Sequence, residues 1–152
     1  MNNSASTWGL RIVLILAGIY IIFTGINIAF GGIRTLGWRF SNDFVNVTND
    51  ESFLTQDSHV RFLGGVWVFI GIIFFIAATD LLKFKFVLKF ALIATFLGGL
   101  ARFTQMNLSV TFGPNILAPL MAELIGMPLL YFWLSKVTKQ SSPEKIDEAG
   151  IG

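Results

Sequence analysis

The chain has 152 residues, of which 54% are hydrophobic and 13% are charged, and its formal net charge is +2. Soluble domains carry about 25% charged residues, so this composition indicates a protein that lies in lipid. The small net charge argues against nucleic acid as a partner. The absence of cysteine excludes disulfides and thiolate chemistry, and a single histidine argues against a multi-histidine metal or haem site. The sequence therefore predicts no metal and no cofactor.

Four apolar stretches predict membrane-spanning helices at about residues 11–33, 61–82, 86–108 and 115–134. A helix needs about 20 residues to cross the apolar core of a bilayer. A signal peptide is the rival interpretation of the first stretch, but its length and the lack of a small-residue cleavage site favour an uncleaved helix. The predicted fold class is all-α, an antiparallel four-helix transmembrane bundle that forms one domain over residues 1–135.

Two polar segments flank these helices. Residues 34–58 combine acidic and amide side chains with several aromatic ones, which is too apolar for a disordered linker. We expect an ordered extracytoplasmic loop between helices 1 and 2, or a short interfacial helix, that covers the bundle. Residues 136–152 carry a proline and both charge signs, and they are predicted to form a mobile tail.

The lysines and arginines predict the orientation in the membrane. If the N terminus is cytoplasmic, seven of the eleven basic residues, including all six lysines, lie on the cytoplasmic side and four arginines lie outside or near the outer side. This distribution follows the positive-inside rule. We therefore expect a multi-pass protein of the inner membrane with both termini in the cytoplasm.

Arg102 and Glu123 interrupt the third and fourth apolar stretches. Arg102 follows Lys89 by 13 residues, and Glu123 precedes Lys136 by 13 residues. Each charge is then about 20 Å above its lysine and at the same depth. A lone charge at the bilayer centre costs about 2.5–3.5 kcal/mol, so we expect the two to pair. Two interpretations stay open: a pair that only holds two helices in register, and a functional site.

The start of the second apolar stretch carries Asp57, His59 and Arg61. Alone, His59 would be interpreted as a surface histidine. Because it lies beside Asp57 and Arg61, all three are predicted to join Arg102 and Glu123 as ligand-binding residues of a polar pocket that opens to the periplasm.

Glycines and prolines mark where helices pack closely or bend. Gly18, Gly25 and Gly32 recur every seven residues, so they predict one closely packed helix face. Gly64 and Gly65 are expected to leave room for the Arg102 side chain. Gly98 and Gly99 are expected to let the second and third helices approach.

Pro119 and Pro128 flank Glu123. A proline lacks an N–H, so these two should free the carbonyls of Asn115 and Leu124 and kink the last helix.

Residues 56–67, Gln-Asp-Ser-His-Val-Arg-Phe-Leu-Gly-Gly-Val-Trp, resemble the signature of a bacterial family of small four-helix membrane proteins known only as a domain of unknown function. The run from Gly98 to Arg102 and the intramembrane Glu123 fit the same pattern. The resemblance covers about residues 10–135 and implies a bacterial integral membrane protein, with a fold akin to DoxX-like bundles. It implies no activity and no catalytic residues.

Three functions compete. The first is a binding or accessory module whose pocket takes a lipid headgroup, a small anion or a partner helix, with Arg61 and Arg102 as anion-binding groups. The second is a membrane enzyme with His59 or Glu123 as acid–base groups, which lacks a nucleophile–base pair. The third is a proton-coupled carrier that uses Glu123 and would have to form a homo-oligomer. Of these three functions we favour the binding module, and we expect it to lie in the lipid bilayer.

Overall fold

The computed structural model describes residues 4–34 and 47–140, and every regular element in these ranges is helical. Four segments are long and apolar enough to cross a membrane: Ala5–Arg34, Asp50–Thr79, Lys85–Gln105 and Pro114–Lys139. These segments confirm the all-helical fold class and a multi-pass membrane protein. The predicted loop lies partly, and the predicted tail mostly, outside the described residues. The elements are α1 (Ser4–Gly31), α2 (Asp50–Thr79), α3 (Lys85–Ala101), a 3₁₀ turn (Arg102–Gln105), α4 (Leu108–Thr111), α5 (Pro114–Met121), a π turn (Ala122–Gly126) and α6 (Met127–Gln140).

Helix α2 begins eleven residues before the predicted start of the second span. Asn49 caps it, because its side-chain oxygen accepts a hydrogen bond of 2.9 Å from the backbone N–H of Ser52. Asp50 and Glu51 lie in the first turn, where carboxylates interact favourably with the helix dipole. Residues 50–58 are therefore the first part of the long helix α2, rather than the loop or separate short helix that the sequence predicted.

The chain divides into two compact units. One comprises residues 11–79, and the other comprises residues 1–10 together with residues 80–152. Helix α1 begins in the unit that contains residues 1–10 and continues into the unit of residues 11–79. Each unit is described on its own below.

In the unit of residues 11–79, glycines bring α1 and α2 into close antiparallel contact. A Cβ added at Gly25 would lie 2.6 Å from the backbone nitrogen of Val68, and one added at Gly18 would lie 3.1 Å from the carbonyl oxygen of Gly71. Small residues allow two backbones to approach this closely. The structure thus confirms that the seven-residue glycine spacing marks a packed helix face.

The neighbouring glycines Gly64 and Gly65 have different surroundings. A Cβ at Gly64 would overlap the backbone of Ala29, so Gly64 belongs to the contact between α2 and α1. A Cβ at Gly65 would meet no atom within 4 Å. Gly64 is therefore in contact with α1, and that Gly65 leaves room for the Arg102 side chain stays a prediction.

In the other unit, α3 and α6 run antiparallel. Gly99 lies against Glu123 near one end, and the Nζ of Lys89 lies 4.9 Å from the centroid of the Tyr131 ring further along. The start of α1 packs on the same helix, because the indole N–H of Trp133 donates a hydrogen bond of 2.8 Å to the Ser6 hydroxyl. The unit thus joins the first residues of α1 to the last helix.

Candidate functional site

Asp57 and Arg61 form an ion pair on consecutive turns of α2. The Nε of Arg61 lies 2.6 Å from Oδ2 of Asp57, which is 7% exposed. The other carboxylate oxygen accepts a hydrogen bond of 2.7 Å from the backbone N–H of Ile33, just beyond α1. Arg61 Nη1 donates to the carbonyl of Phe30 at 2.5 Å and, more weakly, to that of Ala29 at 3.4 Å. The pair therefore satisfies backbone groups that the C terminus of α1 leaves without helical partners.

Gly32 makes room for this arrangement. Its φ of +63° lies in the left-handed region, as is common for the glycine that follows a helix. A Cβ at this position would overlap the Asp57 carboxylate. Gly32 and Asp57 thus fit one another, and the chemistry of the Asp57–Arg61 pair in this unit is helix capping. The sequence showed the i, i+4 spacing of the pair but not its backbone partners.

His59 is exposed and lies between the two members of that pair in sequence. Residues two apart on a helix do not face each other, so His59 lies on a different side of α2 from Asp57 and Arg61. The structure brings Asp57 and Arg61 together and leaves His59 outside their cluster. That His59 and Arg61 share a site with Arg102 and Glu123 stays a prediction.

Arg102 and Glu123 form a bidentate ion pair in the other unit. The Nε and Nη2 atoms of Arg102 lie 2.7 Å from Oε2 and Oε1 of Glu123. Glu123 is 5% exposed, whereas about one third of the Arg102 side chain is exposed. This geometry confirms the predicted pairing. Two parallel charge-assisted bonds also fix the plane of the guanidinium group.

Helix α3 changes its geometry at Arg102. The α-helix ends at Ala101, a 3₁₀ turn begins with Arg102, and Met106 adopts a left-handed conformation with φ of 53°. The tighter turn places Arg102 at the end of the regular helix rather than within it. About one third of the Arg102 side chain stays exposed while Glu123 holds its guanidinium group.

Glu123 lies in the π turn between α5 and α6. The N–H of Met127 donates to the carbonyl of Ala122, five residues earlier. Pro128, which has no N–H, follows this bond directly in the sequence. That Pro128 frees the Leu124 carbonyl stays a prediction. Single π turns occur frequently at functional sites.

Gly99 brings this turn close to α3. A Cβ at Gly99 would lie 2.8 Å from Cβ of Glu123 and 3.0 Å from a methyl group of Leu124. A Cβ at Gly98 would meet no atom within 4 Å. Gly99 thus contacts the turn that carries Glu123, and the approach of the second and third helices at Gly98 and Gly99 stays a prediction.

The described residues limit what chemistry the pair can perform. Residues 4–34 and 47–140 contain no group of three or more side chains that could hold a metal ion. Both carboxylate oxygens of Glu123 accept hydrogen bonds from Arg102. A guanidinium group has five N–H donors, and Glu123 engages two of them. The remaining donors of Arg102 are the groups best placed to meet a ligand.

Comparison with known proteins identifies the family. The family model described as Domain of unknown function (DUF4345) matches residues 9–134, and the chain belongs to this family. Searches of curated proteins and of solved structures found no match. The match agrees with the resemblance to a domain of unknown function over most of the chain. The particular motif of residues 56–65 and the link to DoxX-like bundles stay predictions.

Proposed function

We propose that this member of the DUF4345 family is a membrane-embedded binding module and that Arg102 contacts its ligand. The observation that carries the proposal is the bidentate Arg102–Glu123 pair, in which the carboxylate is buried and the guanidinium is one-third exposed. Glu123 orients the guanidinium and compensates its charge. Arg102 then presents N–H donors in a fixed direction, while the ion pair as a whole carries little net charge.

The ligand class follows from these donors. A planar guanidinium edge matches the oxygens of a phosphate or carboxylate group. The expected ligand therefore carries such a group, either as a lipid headgroup or as a small free anion. A buried and neutralised pair favours recognition by hydrogen-bond geometry over long-range attraction.

The same geometry weighs against the enzyme and carrier alternatives. A general base must lie within hydrogen-bond reach of a substrate proton, and the hydrogen-bond partner that the structure shows for Glu123 is Arg102. His59, the other acid–base candidate, is exposed on α2. We therefore rank both alternatives below the binding module.

A thermal-shift screen of the purified full-length protein tests the proposal. One arm adds inorganic phosphate and acetate, and the other adds phosphatidylglycerol and phosphatidylethanolamine in detergent micelles, so the two sources of the ligand group are distinguished. We expect stabilisation in one arm. A quinone, which has no anionic group, serves as the comparison compound.

Variants then connect the shift to Arg102. The double variant Arg102→Met/Glu123→Leu removes the pair without leaving a lone buried charge, so we expect it to fold but to lose the ligand-induced shift. Gly98→Ala, next to the site in sequence but in open space, should keep the shift. An unchanged shift in the folded double variant, or no shift in either arm for the wild type, would contradict the proposal.

A further inference from the structure

A second group of charges lies far from Arg102, at the opposite end of α3. Five lysines belong to it: Lys83, Lys85, Lys89, Lys136 and Lys139. Because α3 and α6 are antiparallel, the numbers of two residues at the same level have a nearly constant sum. The sum is 222 for the contact of Gly99 with Glu123 and 220 for that of Lys89 with Tyr131. The same relation places Lys85 level with residues 135–137. We call these five residues the lysine cluster.

The lysine cluster is not neutralised by carboxylates of the described chain. None of the five lysines forms an ion pair within residues 4–34 and 47–140. Asp80 is the nearest carboxylate in sequence, and its Oδ1 accepts a hydrogen bond of 3.0 Å from the backbone N–H of Lys83. Its side chain thus caps the turn instead of pairing with a lysine ammonium group.

The start of α3 adds to the positive potential. A helix N terminus carries a partial positive charge and commonly has acidic residues in its first turn. Helix α3 has none there, and no side chain caps its N terminus. Lys85 lies in this turn instead, with Lys83 just before it, so the helix end and these side chains add charge of the same sign.

Three of the lysine ammonium groups lie close to aromatic rings. Lys83 lies 5.3 Å from the ring centroid of Phe84, Lys85 lies 5.2 Å from that of Phe86, and Lys89 lies 4.9 Å from that of Tyr131. Contacts of this length are typical of cation–π pairs. Aromatic rings beside lysines are also typical of the headgroup region of a membrane, where each ring keeps one side in lipid.

We propose that the lysine cluster binds the anionic headgroups of phospholipids in the leaflet at this end of the helices. Four to eight basic residues next to a spanning helix are typical of anionic-lipid binding. The positive-inside rule explains why lysines lie on one side of the membrane. That rule does not explain why the positive end of α3 is left uncapped. It also does not explain why aromatic rings contact the ammonium groups. This inference does not depend on the Arg102 site.

The test compares lipid binding by native mass spectrometry. Purified full-length protein is released from mixed micelles that contain equal parts of phosphatidylglycerol and phosphatidylcholine. We expect the wild type to retain phosphatidylglycerol preferentially. The triple variant Lys83→Gln/Lys85→Gln/Lys136→Gln should lose about a hundredfold in this preference, because each lysine contributes about fivefold.

The matched control replaces the same three lysines by arginine, which keeps the charge and should keep the preference. Circular dichroism checks that each variant is folded. If the glutamine variant does not fold, a salt titration of the wild type decides, since binding through headgroup charge must weaken as ionic strength rises. Equal retention of the two lipids by the wild type, an unchanged preference in the folded glutamine variant, or a preference that is insensitive to salt would overturn the proposal.

Discussion

The substitution Gly99→Ala tests how the Glu123 turn is held against α3. The added Cβ would lie 2.8 Å from Cβ of Glu123, whereas carbon atoms pack best at 3.5–4.0 Å. The two helices must therefore separate by about 1 Å at this point. Overpacking of this kind costs about 1–3 kcal/mol. The separation would also strain the 2.7 Å bonds between Arg102 and Glu123.

Gly98→Ala is the matched control, because it makes the same chemical change one residue earlier in the same helix. Its Cβ would enter open space, so only the helix preference of alanine over glycine, about 1 kcal/mol at most, should appear as stabilisation. The free energy of unfolding of both variants can be measured by denaturant titration in detergent micelles. The helix preference of alanine applies to both variants and cancels in the comparison, so we expect Gly99→Ala to be less stable than Gly98→Ala by about 1–3 kcal/mol, the overpacking cost. Equal stabilities would refute the close contact.

Three further predictions follow from the ion pair, the α1–α2 contact and the lysine distribution. Glu123→Leu alone should destabilise the protein by about 3–5 kcal/mol because Arg102 is left unpaired, whereas the double apolar variant should be milder; equal unfolding free energies would contradict this. Gly64→Ala should lower the melting temperature by overlap with the α1 backbone, and Gly65→Ala should not; a thermal scan of both variants decides. A cysteine placed at Gln140 should resist an impermeant thiol reagent in intact cells and react after permeabilisation; labelling of intact cells would reverse the predicted orientation.

The Arg102–Glu123 pair could be predicted because the depth of a residue in a spanning helix follows from the number of residues that separate it from the helix end. Each residue adds 1.5 Å, so two charges at equal distances from lysine anchors reach the same level. Counting does not give rotation about the helix axis. The sequence could therefore not tell that Gly99, and not Gly98, faces Glu123, because adjacent residues differ by about 100°.

Other features depended on contacts that single stretches do not reveal. Glycine indicates close approach but not the partner: the sequence predicts that Gly64 leaves room for Arg102, whereas the structure packs Gly64 on Ala29. Pro128 indicates a lost hydrogen bond, but whether the α or the π register applies decides which carbonyl loses it. The start of α2 at Asp50 was recognisable from the Asn49 cap, yet the polar composition of this segment favoured a loop.

The cap at the end of α1 bears on the order in which the chain enters the membrane. The carbonyls of Ala29 and Phe30 and the N–H of Ile33 receive their partners from Arg61 and Asp57, which are synthesised later. Until α2 emerges from the ribosome, the C terminus of α1 must keep these groups in contact with water or headgroups, because lipid offers no hydrogen bonds. The C-terminal cap of α1 is therefore completed only when α1 and α2 have come together as a hairpin.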